Sequence, residues 1–134
     1  MAQFARPDSD VTVGGWTPTP LYEQIDEATP SDADYIESAT NPVSDLCEVG
    51  LSNVEDPEVS TGHVVRYRYA KNASGGNVID LTVKLMQGAA EIASWTHNDI
   101  SDTVTQAEQT LTGVQADAIT DYTDLRLRFI ANVP

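Results

Sequence analysis

The sequence predicts an all-β domain, built as a two-sheet antiparallel sandwich of about eight strands. Apolar and polar residues alternate with a period of two in several segments, and turn residues separate these segments at regular spacing. No segment keeps helical spacing over more than about ten residues. A jelly-roll-like arrangement of the strands is the preferred prediction, and an immunoglobulin-like sandwich is the alternative.

The N-terminal part of the chain contains the less regular segments. Residues 1–10 hold proline and charge without periodicity, so we expect an extended arm that precedes one domain over 11–134. A first strand is predicted over 11–16 and a short strand over 33–38. Three prolines predict a long loop over 17–32.

The remaining predicted strands show clearer alternation or bounding turns. Ile79, Leu81, Val83 and Leu85 share one face of a strand whose other face is polar, as in a half-buried strand. Gln87–Gly88 predicts a tight turn. The six strands are predicted over residues 45–51, 63–69, 78–86, 89–96, 103–111 and 125–129, with a loop over 73–77 and one helical turn over 114–119.

The charge balance argues against two classes of partner. The chain has 21 acidic and 7 basic residues and a net charge of −14, and residues 1–60 hold 13 of the acids with a single base. Phosphate binding needs clustered Lys and Arg, and an anionic membrane surface attracts basic segments. We therefore expect neither a nucleic acid nor a membrane as partner. The N-terminus lacks the pattern of a signal peptide, and no apolar run reaches about 18 residues.

Catalytic chemistry has few residues to draw on. The chain has one cysteine, Cys47, and two histidines, His63 and His97, and none of them lies in a known catalytic signature. A single cysteine also rules out a disulfide within the chain. The sequence therefore predicts a protein that is not an enzyme and needs no cofactor.

Two ligand classes stay open as alternatives. Pairs of carboxylates in predicted loops would suit a structural calcium ion, which takes about six to eight oxygen ligands, although solvated acidic loops are the preferred interpretation. Aromatic residues could form a sugar-stacking platform or belong to the core. The acidic pairs are Asp8 with Asp10, Asp26 with Glu27, Asp32 with Asp34, and Asp121 with Asp124; the aromatic residues are Trp16, Trp95, Tyr22 and Tyr35.

Most of the bases fall on outward positions of predicted strands. If those strands are neighbours, the bases form one basic sheet face, suited to docking against the acidic half of another copy. Surface solubility is the alternative interpretation. The candidate docking residues are these five bases together with two residues of the arm: Arg66, Arg68, Lys84, Arg126 and Arg128, with Phe4 and Arg6.

Several segments resemble small structural proteins of tailed phages and prophages. The longest are residues 61–69 (TGHVVRYRY) and 115–129 (QADAITDYTDLRLRF). Shorter pieces, at residues 16–17, 21–22, 25–27 and 32–36, are also similar to that group and follow in the same order. The resemblance runs from about Arg6 to Val133.

The resemblance implies a virion protein made in the host cytoplasm. The implied role is a capsid decoration (cement) protein on the outer surface of the head, and the alternative is a tail or fibre component. Such a protein would adopt a jelly roll or related sandwich, form a homotrimer, and bind the major capsid protein and its own copies. A carbohydrate-binding adhesion module, with a glycan as partner, is the other alternative, and no catalytic residues are implied.

Overall fold

A computed structural model describes residues 3–29, 31–72 and 76–134 of the chain. It contains seven strands: β1 (Pro7–Thr12), β2 (Asp45–Leu51), β3 (Val64–Tyr69), β4 (Asp80–Gln87), β5 (Ala90–His97), β6 (Thr105–Thr110) and β7 (Leu125–Asn132). A 3-10 turn at Tyr22–Gln24 and a short helix α1 at Gly113–Asp117 are the helical elements of the described residues. None of these helices is long and apolar enough to cross a membrane.

The strands form two antiparallel sheets, which confirms the predicted fold class. Five strands make one sheet in the order β1-β2-β7-β4-β5, and β3 pairs with β6 in the other. The pairs β2–β7, β3–β6 and β4–β5 are nested in sequence: β4 and β5 lie between β3 and β6 along the chain, and these in turn lie between β2 and β7. Nested pairing of this kind is the arrangement of a jelly roll, so the preferred topology describes the molecule better than the immunoglobulin-like alternative.

The core lies between the inner face of the five-stranded sheet and the β3–β6 pair. In β4 the residues predicted to face inward, Leu81, Val83 and Leu85, are buried. Val49 of β2 and Leu21 of the first long loop are fully buried beside them. Each such Val or Leu side chain contributes about 1.5–3 kcal/mol when it leaves water, so this layer supplies much of the stability.

Two connections show the local chemistry that the sequence predicted. The turn between β4 and β5 has Gly88 at φ +56°, a conformation that glycine adopts without steric cost. Helix α1 begins with a capping box, in which the Thr112 hydroxyl accepts from the Gln115 backbone N–H at 3.1 Å. The Gln115 side chain in turn accepts from the Thr112 N–H at 2.9 Å, so both backbone donors are satisfied.

The N-terminal boundaries differ from the prediction. Strand β1 covers Pro7–Thr12 rather than 11–16, so four residues assigned to the arm belong to the sheet. This strand is mostly exposed and lies at the sheet edge, where no alternating apolar pattern is needed, and Pro7 is tolerated as its first residue. The assignment of residues 1–10 to an arm is therefore wrong for 7–10.

Residues 3–6 lie outside the strands but contact the domain. The Gln3 side chain donates to the Glu55 carbonyl at 2.9 Å and accepts from the Glu55 N–H at 2.8 Å. The Ser52 N–H donates to the Arg6 carbonyl at 2.7 Å. These bonds hold the segment along the chain that follows β2.

The strand predicted over 33–38 is also absent. This part of the chain makes one isolated bridge, in which Thr17 and Glu37 exchange backbone hydrogen bonds of 2.9 and 2.8 Å. The described residues therefore form seven strands instead of the predicted number of about eight. Of the predicted loop at 73–77, residues 73–75 lie outside the described residues, as does Pro30 of the first long loop.

Candidate functional site

The five bases predicted to form one docking face lie on two different sheets. Arg66 and Arg68 are on β3 of the small sheet, whereas Lys84 is on β4 and Arg126 and Arg128 are on β7 of the large sheet. The last three share a face of the large sheet, since Lys84 pairs with Arg128 in register and Arg126 precedes Arg128 by two positions, whereas Arg66 and Arg68 share a face of the small sheet. The single basic sheet face is therefore wrong, because it assumed that all five strand positions were neighbours.

Two of these bases hold a buried carboxylate. Glu48 of β2 is only 3% exposed, and its two oxygens accept from Arg126 Nη1 at 3.2 Å and from Arg128 Nε at 2.7 Å. In the sheet, Glu48 lies directly opposite Arg128. A buried carboxylate needs such partners, since an unpaired charge is costly to remove from water. Arg126 and Arg128 are thus part of the structure of the large sheet rather than a free basic patch.

The next two bases pair with carboxylates on neighbouring strands at the surface. Arg66 Nε lies 3.0 Å from Glu108 Oε2, and both side chains are more than half exposed. Lys84 Nζ lies 2.7 Å from Glu91 Oε1, with the lysine about a quarter exposed. Exposed pairs of this kind contribute little to stability, so they can exchange partners when another protein approaches.

Arg68 makes the most specific of the surface ion pairs. Its Nε and Nη2 donate to the two oxygens of Asp32, each at 2.8 Å, while Nη1 donates to the Gln106 side chain at 2.9 Å. The guanidinium hydrogen bond lowers the pKa of Asp32 below its ordinary value. This bidentate contact fixes the first long loop to the small sheet.

The predicted arm residues form a small exposed cluster. The Phe4 side chain is 60% exposed, and the Arg6 guanidinium carbon lies 5.1 Å from the centre of its ring. That distance suits a cation–π contact. Phe4 and Arg6 therefore lie together, as an apolar ring and a positive charge next to the start of β1.

The two histidines are bound to tyrosines. His97 Nε2 lies 2.6 Å from the Tyr67 hydroxyl and Nδ1 lies 3.1 Å from the Tyr69 hydroxyl, so the ring connects β5 to β3 across the core. Burial lowers the pKa of His97 and raises that of Tyr67. His63 Nε2 lies 2.7 Å from the Tyr122 hydroxyl. Neither histidine has a Ser, Thr or Cys side chain as a hydrogen-bond partner among the described residues.

Cys47 lies at the centre of the core. It is fully buried within the β2 part of the large sheet. Burial raises the pKa of its thiol to about 12, so the thiolate that would act as a nucleophile is not formed at neutral pH. The cysteine is thus a small apolar core residue.

Carboxylates from two of the acidic pairs considered as calcium ligands accept hydrogen bonds from the backbone. The two Asp10 oxygens accept from the N–H groups of Leu21 and Tyr22 at 2.8 and 2.9 Å. Asp121 accepts from both the backbone and the hydroxyl of Thr123, and these bonds lower its pKa. Within the described ranges, no group of three or more His, Cys, Asp or Glu side chains is arranged to hold a metal ion.

The aromatic residues considered as a sugar platform do not form one exposed surface. Trp16 is only 8% exposed, and its indole N–H donates to the Asp45 carbonyl at 2.9 Å. Tyr22 and Trp95 are half-buried and pack against the core, whereas Tyr35 is 59% exposed. The four-residue platform is therefore wrong, because most of these rings serve the core.

The sequence did not predict that Glu48 is buried. It also did not predict that Tyr35 is the exposed residue among the four aromatic candidates. Glu48 has the outward strand position of any surface acid, and its burial depends on arginines of β7. Comparison of the chain with protein-family models, with curated proteins and with solved structures found no match.

Proposed function

We propose that this chain is a non-enzymatic structural protein of a tailed-phage virion that decorates the outer surface of the head. In this proposal it binds the major capsid protein and copies of itself, as a homotrimer, through protein–protein contacts. The observation that supports the proposal is that the basic side chains are partnered within the chain, which leaves a mainly acidic surface.

Each of the seven bases has a partner inside the molecule. Six form ion pairs with carboxylates of the same chain, and Arg6 lies over the Phe4 ring. With a net charge of −14, the surface then presents mainly carboxylates. Such a surface repels nucleic-acid phosphates and keeps the free subunit soluble. It suits the outside of a head better than a lining that faces packaged DNA.

The proposal includes no enzymatic role because of how the Cys47 thiol and the two histidines are placed. The Cys47 thiol is buried and protonated, and both histidines are engaged by tyrosine hydroxyls. A Ser, Thr or Cys nucleophile of a triad needs a histidine base within hydrogen-bond reach, and neither histidine has such a side chain as a hydrogen-bond partner among the described residues. This arrangement favours a role in protein–protein binding over a role in catalysis.

Phe4 and Arg6 form the docking site that the proposal favours, and we call this pair the Phe4 element. A ring that is 60% exposed next to a guanidinium is the kind of anchor that is enriched in protein interfaces. Complete burial of the Phe4 ring against the capsid or a neighbouring subunit would contribute about 1.5–3 kcal/mol. The hydrogen bonds of Gln3 to Glu55 keep this element near the domain, which reduces the entropy lost on docking.

The test mixes the purified chain with undecorated phage heads and sediments them. The expected result is co-sedimentation at a fixed ratio to the capsid lattice, with lower occupancy for Phe4→Ala. Val43→Ala is the matched control, because Val43 is exposed and lies near the opposite end of β2. Loss of occupancy in both variants, or in neither, would argue against the Phe4 element.

The mass of the free protein in solution tests the oligomeric part of the proposal. A trimer is expected by light scattering, and a monomer at micromolar concentration would contradict it. A wild-type chain that remains in the supernatant would contradict the head position itself. Binding to purified tails or fibres instead would then identify the alternative virion role.

A further inference from the structure

A shallow polar cleft lies beside the first long loop, away from the Phe4 element. Its volume is about 330 Å³, which is within the range of small-ligand sites. The residues that line it are Thr17, Pro18, Gln24, Ala33, Asp34, Tyr35 and Glu37. Tyr35 lines this cleft, and we call it the Tyr35 cleft.

Tyr35 is exposed in a protein whose other aromatic rings are mostly buried or half-buried. Its side chain is 59% exposed, and only Phe4 among the other large aromatic residues is comparably exposed. Among the residues that the structure describes, its ring has no aromatic neighbour and its hydroxyl has no hydrogen-bond partner. An amphipathic ring left in this state is available for a ligand.

The segment that carries Tyr35 is fixed on both sides. Before it, Asp32 receives two hydrogen bonds of 2.8 Å from the Arg68 guanidinium. After it, the Glu37 backbone exchanges bonds of 2.8 and 2.9 Å with Thr17. The exposed ring is therefore presented by a braced loop, and binding would not have to order it first.

The polar groups around the ring define the chemistry of the ligand. Gln24, Asp34 and Glu37 are among the lining residues, and their side chains carry amide and carboxylate oxygens that can accept hydrogen bonds from hydroxyl groups. No Lys or Arg is among the described residues that line it, so an anionic ligand would meet only repulsion. A neutral pyranose combines an apolar C–H face for the ring with several hydroxyl donors for the rim.

We propose that the Tyr35 cleft binds a neutral sugar unit of a glycan, with Tyr35 stacked on the sugar face and Asp34 and Glu37 accepting from its hydroxyls. This activity is additional to head decoration and does not depend on it. A decoration protein with such a cleft would bring many weak sugar sites to one particle, where multivalency raises the effective affinity.

The test uses the full chain, tetramerised through a C-terminal biotin, on an array of neutral and acidic glycans. The strongest neutral saccharide is then titrated by ligand-observed NMR against the untetramerised chain. Tyr35→Ala should weaken binding by roughly tenfold or more, whereas Tyr35→Phe, which keeps the ring, should retain most of it. Val114→Ala is the matched control, because Val114 is exposed on α1 and does not line the cleft, and this variant should bind as the wild type does.

Several results would overturn the sugar site. They are a silent array, binding restricted to acidic glycans, or binding that Tyr35→Ala leaves unchanged. If Tyr35→Ala instead reduces co-sedimentation with heads while no glycan binds, the cleft is a protein contact and the sugar proposal is wrong. Conversely, glycan binding by a chain that does not sediment with heads would refute decoration and leave the sugar site standing.

Discussion

The buried carboxylate of Glu48 gives the sharpest prediction about stability. Glu48→Gln keeps the size of the side chain but replaces one oxygen by an NH2 group, which points a donor at the guanidinium donors of Arg126 or Arg128. Breaking a buried ion pair in this way costs about 3–5 kcal/mol. Both arginines keep roughly 30% of their side chains exposed, so water can solvate them in part. We therefore expect the lower end, about 3 kcal/mol in the free energy of unfolding.

Urea unfolding followed by circular dichroism measures this cost directly. The midpoint should fall while the slope with urea stays the same, because the surface exposed on unfolding is unchanged. The melting temperature should drop by about 10 °C. The matched control is Glu108→Gln, which removes a carboxylate whose pair with Arg66 is more than half exposed on both sides. That change should cost no more than about 1 kcal/mol.

The dependence of stability on salt should also differ between the two variants. Exposed charges are screened at 1 M salt, where the Debye length is about 3 Å, whereas buried pairs are screened much less. The cost of Glu48→Gln should therefore persist in 1 M NaCl, and the cost of Glu108→Gln should vanish. Equal costs for the two variants at low salt would refute the view that Glu48 is a buried, doubly paired charge.

Three further predictions concern the core and its connections. Gly14→Ala should cost at least about 2 kcal/mol in urea unfolding, because φ is +58° and the new methyl group would meet the Leu46 carbonyl; Gly62→Ala, at φ +79° in open space, should cost about 1 kcal/mol, and equal costs would exclude the clash. Burial lowers the folded-state pKa of His97 below its unfolded value, so its contribution is full above about pH 6.5 and is lost as the pH falls; the stability difference between wild type and His97→Gln should shrink from pH 7.5 to 5.5, and a growing difference would contradict this assignment. Cys47 should react with a thiol reagent only after unfolding, and rapid labelling of the native protein would show that its burial is wrong.

The parts of the fold that alternate strictly were predictable from the sequence. Strand β4 was located to within two residues because Leu81, Val83 and Leu85 must all face the core if any one of them does. Strand β1 was misplaced because an exposed edge strand needs no such pattern. The short segment at 33–38 contains apolar residues, but a single bridge to Thr17 holds it in place.

The candidate sites were less predictable because they depend on which distant residues meet. Arg66 and Arg128 look alike in the sequence, as bases that alternate with apolar residues. One faces an exposed Glu108, whereas the other helps to bury Glu48, and only the order of the strands decides this difference. The position of the segment just before Tyr35 depends in the same way on a distant residue, since Asp32 is held by Arg68 of β3.

The nested strand pairing has a consequence for how the molecule is made. Only β4 and β5 are joined by a short turn, so this hairpin is the natural first structure of the emerging chain. Glu48 precedes its partner Arg128 by 80 positions, so the ribosome releases the acid long before the base that will neutralise it. Until β7 is synthesised, β2 lacks its central neighbour in the sheet and its inner face stays open. The large sheet therefore cannot be completed before β7 is synthesised. During that interval the high negative charge of residues 1–60 opposes association between nascent chains.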